Sequence, residues 1–306
     1  MKHRKSLLSG CLLALTAGGI GNYFYELAIN PATDKSKIFK ADHNQLKELD
    51  EESDWFEKTK NESIYLTSED ALKLHSYVLK QKTPSNRYII IAHGYTSGAE
   101  KMTAYAKKFY EQGYHVIIPD ARGHGKSEGK YIGMGWHERK DMLLWIQEII
   151  TQNPEAEIVL FGVSMGAATV MSTAGEVLPS QVKAIIEDCG YTSVKEIFAY
   201  QLKQLYKLPS FPFLNVASLV TYARAGYTLG EANMIKQVAN ATKPMLFIHG
   251  TQDAFVPYEM VHRLYDIAPV EKDLLIVEEA GHAESALVAG ESYWKTIFSF
   301  LEKHLI

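Results

Sequence analysis

The chain has 306 residues, of which 46% are hydrophobic and 22% are charged, and its formal net charge is −4. That length and apolar content suffice for one large domain with a single core or for two small domains. The mildly acidic balance and the lack of a long basic run exclude the usual signature of nucleic-acid binding, so we expect no nucleic-acid partner.

Residues 1–29 differ in composition from the rest of the chain. Three basic residues within the first five precede an apolar stretch from Leu7 to Ile20, an order that is typical of a secretory signal or an N-terminal membrane anchor. Because no good A-x-A cleavage site follows, we favour a single-pass anchor in the cell membrane, with the N-terminus inside and the remaining chain extracellular. A cleaved signal, which would leave the remaining chain secreted, is the alternative.

A polar, charged region follows in residues 30–62 and includes the sequence "KELDEESDWFEK". We interpret it as a partly helical spacer that separates the next domain from the membrane. From residue 63, the sequence "SIYLTSEDALKLHSYVL" has two short alternating runs around a polar turn, which predicts a β-hairpin. The folded domain is therefore expected in residues 63–306.

Short apolar runs alternate with helical patterns after the hairpin. The predicted strands have the sequences "RYIIIAHG", "YHVIIPD", "EIVLFG", "VKAIIED", "KPMLFIHG" and "KDLLIVEEA". Helical patterns such as "HERKDMLLWIQEIITQNP" and "SYWKTIFSFLEKHL" lie between them or after them. Continuous apolar strands alternating with helices predict the α/β class, with a mostly parallel central sheet and helices on both faces. Reactive loops in such a sheet lie at the carboxyl ends of its strands.

An insert at about residues 189–242 interrupts this alternation between two predicted strands. It is rich in aromatic and basic residues and is broken by Pro209 and Pro212. Because the insert enters directly from the carboxyl end of a strand, we expect a helical cap that shapes a substrate pocket. An insert that only packs against the domain is the alternative.

The pattern G-x-S-x-G occurs twice, as "GKSEG" at residues 125–129 and as "GVSMG" at residues 162–166. A nucleophilic serine in this pattern sits on a sharp turn between a strand and a helix. Only the second pentapeptide has a predicted strand before it and a predicted helix after it. Ser164 is therefore the predicted nucleophile, and Ser127 is expected in a glycine-rich loop with solvated charges.

Two other partial motifs do not match their patterns. The "GKS" of the first pentapeptide lacks the upstream glycine of a phosphate-binding loop, since Asp120 occupies that position. The sequence "HERKD" lacks the second histidine of a zinc motif, since Asp141 occupies its place. The sequence has no metal or dinucleotide motif, and we expect neither a metal nor a cofactor.

A serine nucleophile needs a base, and the base needs an acid that orients it. His282, in "EEAGHAES", follows the last predicted strand in a loop of small residues. Asp253, in "HGTQDAFVP", lies just past the end of the preceding strand. The resulting chain order, serine, acid and then histidine, is the one that accompanies this kind of turn. Asp188, which also ends a strand, is the alternative acid.

An oxyanion intermediate needs two hydrogen-bond donors beside the nucleophile. One is expected to be the backbone N–H of Met165, the residue after Ser164. The other is expected in the loop that follows the early strand, "AHGYTSG", where we choose the backbone N–H of Tyr95.

Five segments together resemble the α/β-hydrolase superfamily: "HGYTSG", "PDARGHGKSEG", "GVSMG", "HGTQDAFVP" and "GHAES". The resemblance covers roughly residues 63–306. Details such as "YIGMGWHERKDMLLWI" and "IEDCGYTSV" are similar to membrane-anchored or secreted hydrolases of Gram-positive bacteria, in the serine aminopeptidase-like and prolyl-oligopeptidase-like branches. The resemblance implies a serine hydrolase in which the segment with Ser127 is a structural loop beside the active site. Relatives of this kind include carboxylesterases, thioesterases, acylglycerol lipases and peptidases.

The candidate residues predict a serine hydrolase that cleaves a carboxylic ester, or a similar acyl substrate, through an acyl-enzyme. Aromatic side chains in the insert suit an acyl chain: Phe198, Tyr206, Phe211 and Phe213. A serine peptidase with aminopeptidase-like activity is one alternative, because the same side chains suit an apolar peptide. A non-catalytic binding module anchored at the cell surface is the other.

Overall fold

The computed structural model describes residues 18–35, 55–59 and 61–305. Within this part of the chain, eight strands form one sheet. Their bounds are β1 (Asn61–Thr67), β2 (Lys73–Leu79), β3 (Arg87–Ala92), β4 (His115–Pro119), β5 (Glu157–Val163), β6 (Val182–Asp188), β7 (Met245–Gly250) and β8 (Lys272–Val277).

The strand order across the sheet is β1-β2-β4-β3-β5-β6-β7-β8. Strand β2 is antiparallel to both of its neighbours, and every adjacent pair from β4 to β8 is parallel. The prediction of a mostly parallel sheet is therefore confirmed. Ala92 pairs with Gly162, and Val163 pairs with Asp188, so the carboxyl ends of β3, β5 and β6 meet at one edge.

Helices cover both faces of this sheet. Their bounds are α1 (Thr103–Glu111), α2 (Glu138–Gln152), α3 (Met165–Ala174), α4 (Val194–Tyr206), α5 (Phe213–Ala225), α6 (Met234–Val238), α7 (Glu259–Ile267), α8 (Ser285–Ala289) and α9 (Glu291–His304). Ile89 and Ile91 of β3 belong to a buried cluster with Phe109 of α1. Ile90 belongs to the cluster on the opposite face, with Trp145 of α2. The side chains of one strand thus pack against helices on both sides.

The insert between β6 and β7 is helical, as predicted, and contains α4, α5 and α6. Helix α4 begins at a capping residue, since the side-chain oxygen of Ser193 accepts a hydrogen bond from the backbone N–H of Glu196. Leu202 of α4 and Leu214 of α5 are buried in the main core. The insert therefore packs on the domain at the edge where the strands end.

Residues 18–28 are helical and pack against the insert, although the sequence predicts an anchor or signal in residues 1–29. A side chain at Gly21 would meet Val216 Cγ1 of α5 at 2.7 Å, so the glycine permits a close crossing of the two helices. Tyr25 and Leu27 of this helix are nearly fully buried, as is Ile29 directly after it. The described part of the predicted leader is thus part of the folded domain.

None of the helices in residues 18–35, 55–59 and 61–305 combines the length and the apolar composition that a membrane span requires. Residues 1–17 of the predicted anchor lie outside the described residues, so the anchor stays a prediction. The predicted spacer, residues 30–62, is described only in part. There, Phe56 is buried and packs edge-on against Tyr77 of β2, with ring centroids 5.2 Å apart. This part of the region packs against the domain because its aromatic residues find an apolar surface there.

Candidate active site

Ser164 occupies the sharp turn between β5 and α3. Its backbone has φ 58° and ψ −113°, a conformation that costs energy for any residue with a side chain. The flanking glycines make room for the turn. A Cβ atom at Gly162 would lie 2.1 Å from the carbonyl oxygen of Gly166, and one at Gly166 would lie 2.0 Å from that of Ala92. The turn thus holds the Ser164 hydroxyl at the carboxyl edge of the sheet.

His282 and Asp253 lie beside this serine. His282 Nε2 is 2.8 Å from Ser164 Oγ, and His282 Nδ1 is 2.7 Å from Asp253 Oδ2. An ionised carboxylate only accepts hydrogen bonds, so Nδ1 carries the proton and Nε2 is free to accept from the serine hydroxyl. The structure therefore brings together the three residues that the sequence selected from three separate loops.

The carboxylate of Asp253 is held in a fixed orientation. Its Oδ1 accepts hydrogen bonds from the backbone N–H groups of Phe255 and Val256 at 2.9 and 2.7 Å, which leaves Oδ2 for the imidazole of His282. Burial alone would raise the pKa of Asp253, but the hydrogen bonds from His249 and His282 hold it well below its usual range. The group is therefore an anion throughout the neutral pH range.

Asp188, the alternative acid, has other partners. Its carboxylate accepts hydrogen bonds from the hydroxyls of Ser285 and Tyr293 at 3.1 and 2.8 Å. Burial raises the pKa of Asp188 to about 6. Its main-chain carbonyl accepts a hydrogen bond from the backbone N–H of Ser164 at 2.8 Å. Asp188 thus supports the turn, while Asp253 contacts the histidine.

The loop after β3 lies against the other side of the serine. A Cβ atom at Gly94 would be 3.7 Å from Ser164 Cβ, so the backbone at Gly94 and Tyr95 runs close to Ser164. Met165 is the first residue of α3, and the first N–H groups of a helix have no acceptor within the helix. Both expected donors, Tyr95 and Met165, are therefore beside Ser164.

Sequence reasoning missed two histidines that hold this loop. The backbone N–H of Ala121 donates to His93 Nε2 at 3.0 Å, so the ring proton is on Nδ1, which lies 2.8 Å from the carbonyl oxygen of Gly94. This contact fixes the Gly94–Tyr95 peptide group, whose N–H points away from its carbonyl. His124 Nε2 lies 2.7 Å from the carbonyl oxygen of Tyr95. The only sequence signal was a histidine before a glycine in "AHG" and "RGHG".

Ser127 lies in the loop after β4, with other partners. Its hydroxyl donates to the carbonyl oxygen of Asp120 at 2.7 Å and accepts from the backbone N–H of His75 at 2.8 Å. The Asp120 carboxylate in turn accepts from the backbone N–H of Lys126 at 3.0 Å. The glycine-rich loop carries exposed charges, as expected, and it also ties β2 to the end of β4 through Ser127.

One group of side chains in the described part of the chain has the chemistry of metal ligands. Atoms of Cys189, Asp253 and His282 lie within 4.8 Å of one another. Asp253 and His282 are already joined by a hydrogen bond, and burial raises the pKa of the Cys189 thiol well above its usual value. A metal would need the thiolate, so this arrangement favours the hydrogen-bonded chain to Ser164 over a metal site.

A pocket of about 820 Å³, including its open mouth, extends from Ser164. Tyr95 and Met165 line it beside the serine, and the insert and the N-terminal helical segment form much of the remaining wall. No Asp, Glu, Lys, Arg or His side chain is among the described residues that line it. The site therefore joins the Ser164 hydroxyl, in contact with His282, to an uncharged, mostly apolar cavity.

Comparison with known proteins identifies the family. Residues 83–220 match a family described as "Serine aminopeptidase, S33". The chain is 31% identical to the uncharacterized protein YqkD of Bacillus subtilis (strain 168), over 99% of this chain and 98% of that protein. It is 26% identical to the alpha/beta hydrolase domain-containing protein WAV2 of Arabidopsis thaliana, over 79% of each protein. The chain belongs to the α/β-hydrolase superfamily.

This α/β-hydrolase is also similar to a solved enzyme. The Pyrococcus furiosus esterase Pf2001 has 25% sequence identity and a TM-score of 0.66, and the match covers 84% of this chain and 95% of that chain. The predicted superfamily and fold are therefore confirmed. The matched family and this structural similarity support a hydrolase.

Proposed function

We propose that this α/β-hydrolase is a serine hydrolase that cleaves carboxylic esters with an apolar acyl group. The proposal is carried by the hydrogen-bonded chain from Asp253 through His282 to Ser164, at the end of an uncharged pocket. A weakly nucleophilic hydroxyl becomes reactive when an oriented base accepts its proton. The strained turn that places Ser164 at the pocket supports the same role.

In the proposed first step, Ser164 Oγ attacks the acyl carbonyl carbon while His282 Nε2 takes the hydroxyl proton. His282 then gives this proton to the leaving alcohol, and the ester C–O bond breaks to leave an acyl-enzyme on Ser164. A water molecule, deprotonated by His282, attacks the acyl-enzyme. The tetrahedral intermediate formed in this second step releases the carboxylic acid. His282 returns its proton to Ser164 Oγ, which restores the hydroxyl.

Negative charge develops on the carbonyl oxygen in both steps. We propose that the backbone N–H groups of Tyr95 and Met165 bind this oxyanion, each contributing about 3 kcal/mol in the transition state. The anionic Asp253 stabilises the imidazolium form of His282 that appears at the same moment. These residues supply the nucleophile, the base and the electrostatic stabilisation that the proposed reaction requires.

An ester is favoured over the substrate of an aminopeptidase. An aminopeptidase must recognise an α-ammonium group, and a carboxylate is the side chain that pairs with it best. The described lining of the pocket has no carboxylate. The similar Pyrococcus furiosus protein is an esterase. Hydrolysis of p-nitrophenyl esters but not of aminoacyl p-nitroanilides is expected, and activity on the anilides alone would overturn this preference.

The nucleophile is tested with a fluorophosphonate probe, which labels activated serines. We expect Ser164→Ala to abolish labelling and to lower kcat by about 10⁴- to 10⁶-fold. Ser127→Ala is the matched control, because it removes the serine of the other G-x-S-x-G pattern and leaves Ser164 in place. It should retain labelling, with a stability loss of about 1–3 kcal/mol from the unpaired N–H of His75.

The reverse labelling result would contradict the proposal. A wild-type protein that reacts with no serine-directed probe would favour a binding module.

We further propose that the enzyme acts at the cell membrane, with its catalytic domain outside the cell. The support is the order of the first 20 residues, in which basic side chains precede an apolar stretch.

A further inference from the structure

Part of the pocket wall comes from the N-terminal helical segment that the sequence assigns to a leader. Four of its residues, and Ile29 directly after it, line the pocket: Phe24, Tyr25, Leu27, Ala28 and Ile29. The same cavity is lined by Leu202 of α4 and Leu214 of α5. Regions that lie far apart in the sequence therefore build one apolar cavity.

Backbone hydrogen bonds fix this wall to the catalytic domain. The carbonyl oxygen of Ile29 accepts from the backbone N–H of Ile132 at 2.8 Å. The carbonyl oxygen of Ala28 accepts a hydrogen bond from the hydroxyl of Tyr95. Tyr95 thus contacts the wall through its ring hydroxyl, while its backbone lies beside Ser164.

Charged side chains hold the same segment from two sides. Arg224 of α5 forms an ion pair with Glu26, and its guanidinium lies 4.1 Å from the ring centre of Tyr25. Lys35 Nζ donates to the carbonyl oxygen of Leu27 at 2.8 Å, near the end of the helix. Each contact is weak by itself, but together they define the position of the helix over the pocket.

We infer that residues 24–29 form one wall of an acyl-chain site and limit the length of the chain that fits, an inference that rests on the proposed esterase function. The substrate class is an ester of a fatty acid. When the carbonyl carbon is at Ser164 Oγ, the acyl tail lies in the cavity that begins there. The tail loses contact with water and gains contact with apolar side chains. The uncharged lining offers no ion pair to a polar tail.

Ala28 is the sharpest position for a test. Its side chain is small, half-buried and part of the lining, so a larger aliphatic residue there fills the cavity without adding charge. Ala28→Leu adds three carbon atoms and takes the place of about three methylene groups of substrate. Each buried methylene group changes kcat/KM about fourfold. The kcat/KM of the variant on long-chain esters should therefore be roughly 50-fold lower than that of the wild type.

The experiment measures kcat/KM of the full chain on p-nitrophenyl acetate, butyrate, octanoate and laurate. Ala28→Leu is expected to lower the ratio of the octanoate and laurate values to the acetate value roughly 50-fold. Ala32→Leu is the matched control, because it makes the same change in the same segment at an exposed position outside the pocket. The control should match the wild type on every ester.

Phe24→Ala provides the opposite change, since it removes a ring from the lining and should shift the preference towards longer chains. It also keeps the inference testable if Ala28→Leu does not fold. Fluorophosphonate labelling of Ser164 is followed in every variant. Unchanged chain-length profiles in labelled, folded variants would overturn the inference and leave the esterase proposal standing. No labelling and no ester hydrolysis by the wild type would instead reject the proposed function, and this inference with it.

Discussion

Asp253 contacts two histidines, and only one of them reaches the serine. His249 Nε2 lies 3.2 Å from Asp253 Oδ2, on the same oxygen that accepts from His282. The other ring nitrogen of this histidine, His249 Nδ1, is buried and has no hydrogen-bond partner among the described residues. The same is true of Oε1 of the neighbouring Glu187. Burial raises the pKa of Glu187 to about 8, although the neighbouring His249 acts in the opposite direction. At pH 7, the buried carboxyl group of Glu187 is therefore neutral, and it neighbours His249, which contacts Asp253.

The Glu187 carboxyl group makes the stability of the fold depend on pH. The folded state keeps this proton up to about pH 8, whereas the unfolded chain releases it near pH 4.5. The contribution of Glu187 is therefore fully present below pH 4.5 and is lost as the pH rises through 8, a change on the order of 5 kcal/mol. Glu187→Gln should match the wild type near pH 5 and exceed its free energy of unfolding at pH 9.

Denaturant unfolding at pH 5, 7 and 9 measures this difference. The glutamine oxygen can keep the hydrogen bond from the backbone N–H of Gly190, which lies 2.9 Å from Glu187 Oε2. The nearby titrating groups Asp188 and His249 are present in both proteins, so most of their effects cancel. A constant difference between the two proteins at all three pH values would show that Glu187 does not hold its proton in the folded state.

The sequence was sufficient to place Ser164, Asp253 and His282 because each follows a predicted strand. The carboxyl ends of parallel strands meet at one edge of a sheet, so loops distant in the sequence converge there. The role of His93 was not predictable in this way. It depends on which backbone groups face its two ring nitrogens, and Ala121 reaches it from a different strand end.

At the scale of secondary structure, the turn from β5 to α3 decides where Ser164 lies. The conformation of Ser164 is strained, and the backbone of the helix passes so close to the strand that no side chain fits at Gly162. The predicted strand before the glycines and the predicted helix after them made this element recognisable from the sequence. By contrast, the bounds of α4 and α5 depend on packing of the insert, and the sequence indicated only that it is helical.

Gly162→Ala tests the turn directly. The added Cβ atom would lie 2.1 Å from the carbonyl oxygen of Gly166 and 2.3 Å from its carbonyl carbon, so the backbone of α3 must move. We expect a stability loss of about 3 kcal/mol or more, together with loss of fluorophosphonate labelling at Ser164. Gly230→Ala is the control, because no atom lies within 4 Å of its added Cβ. Equal melting temperatures and labelling in the two variants would contradict this account of the turn.

At the scale of the whole molecule, the packing of the N-terminal region was not predictable from the sequence. An apolar stretch is compatible with a bilayer or with a protein core, because both are apolar surroundings. Composition alone therefore assigned residues 1–29 to a leader. Contacts with distant residues, Ile132 and Arg224 among them, place residues 18–35 on the catalytic domain. Such contacts join residues about a hundred or more positions apart, and no local pattern indicates them.

Two truncations separate the proposed anchor from the pocket wall. A chain without residues 2–17 should leave the membrane fraction but keep its melting temperature and its hydrolysis of p-nitrophenyl octanoate, because the wall is intact. A chain without residues 2–35 also loses three buried side chains, Tyr25, Leu27 and Ile29, each of which contributes about 1.5–3 kcal/mol. Its melting temperature and its activity on long-chain esters should both fall.

If the shorter truncation stays in the carbonate-washed membrane pellet, residues 2–17 are not the anchor. If the longer truncation keeps the melting temperature and the long-chain esterase activity of the wild type, residues 18–35 are not part of the catalytic domain in solution.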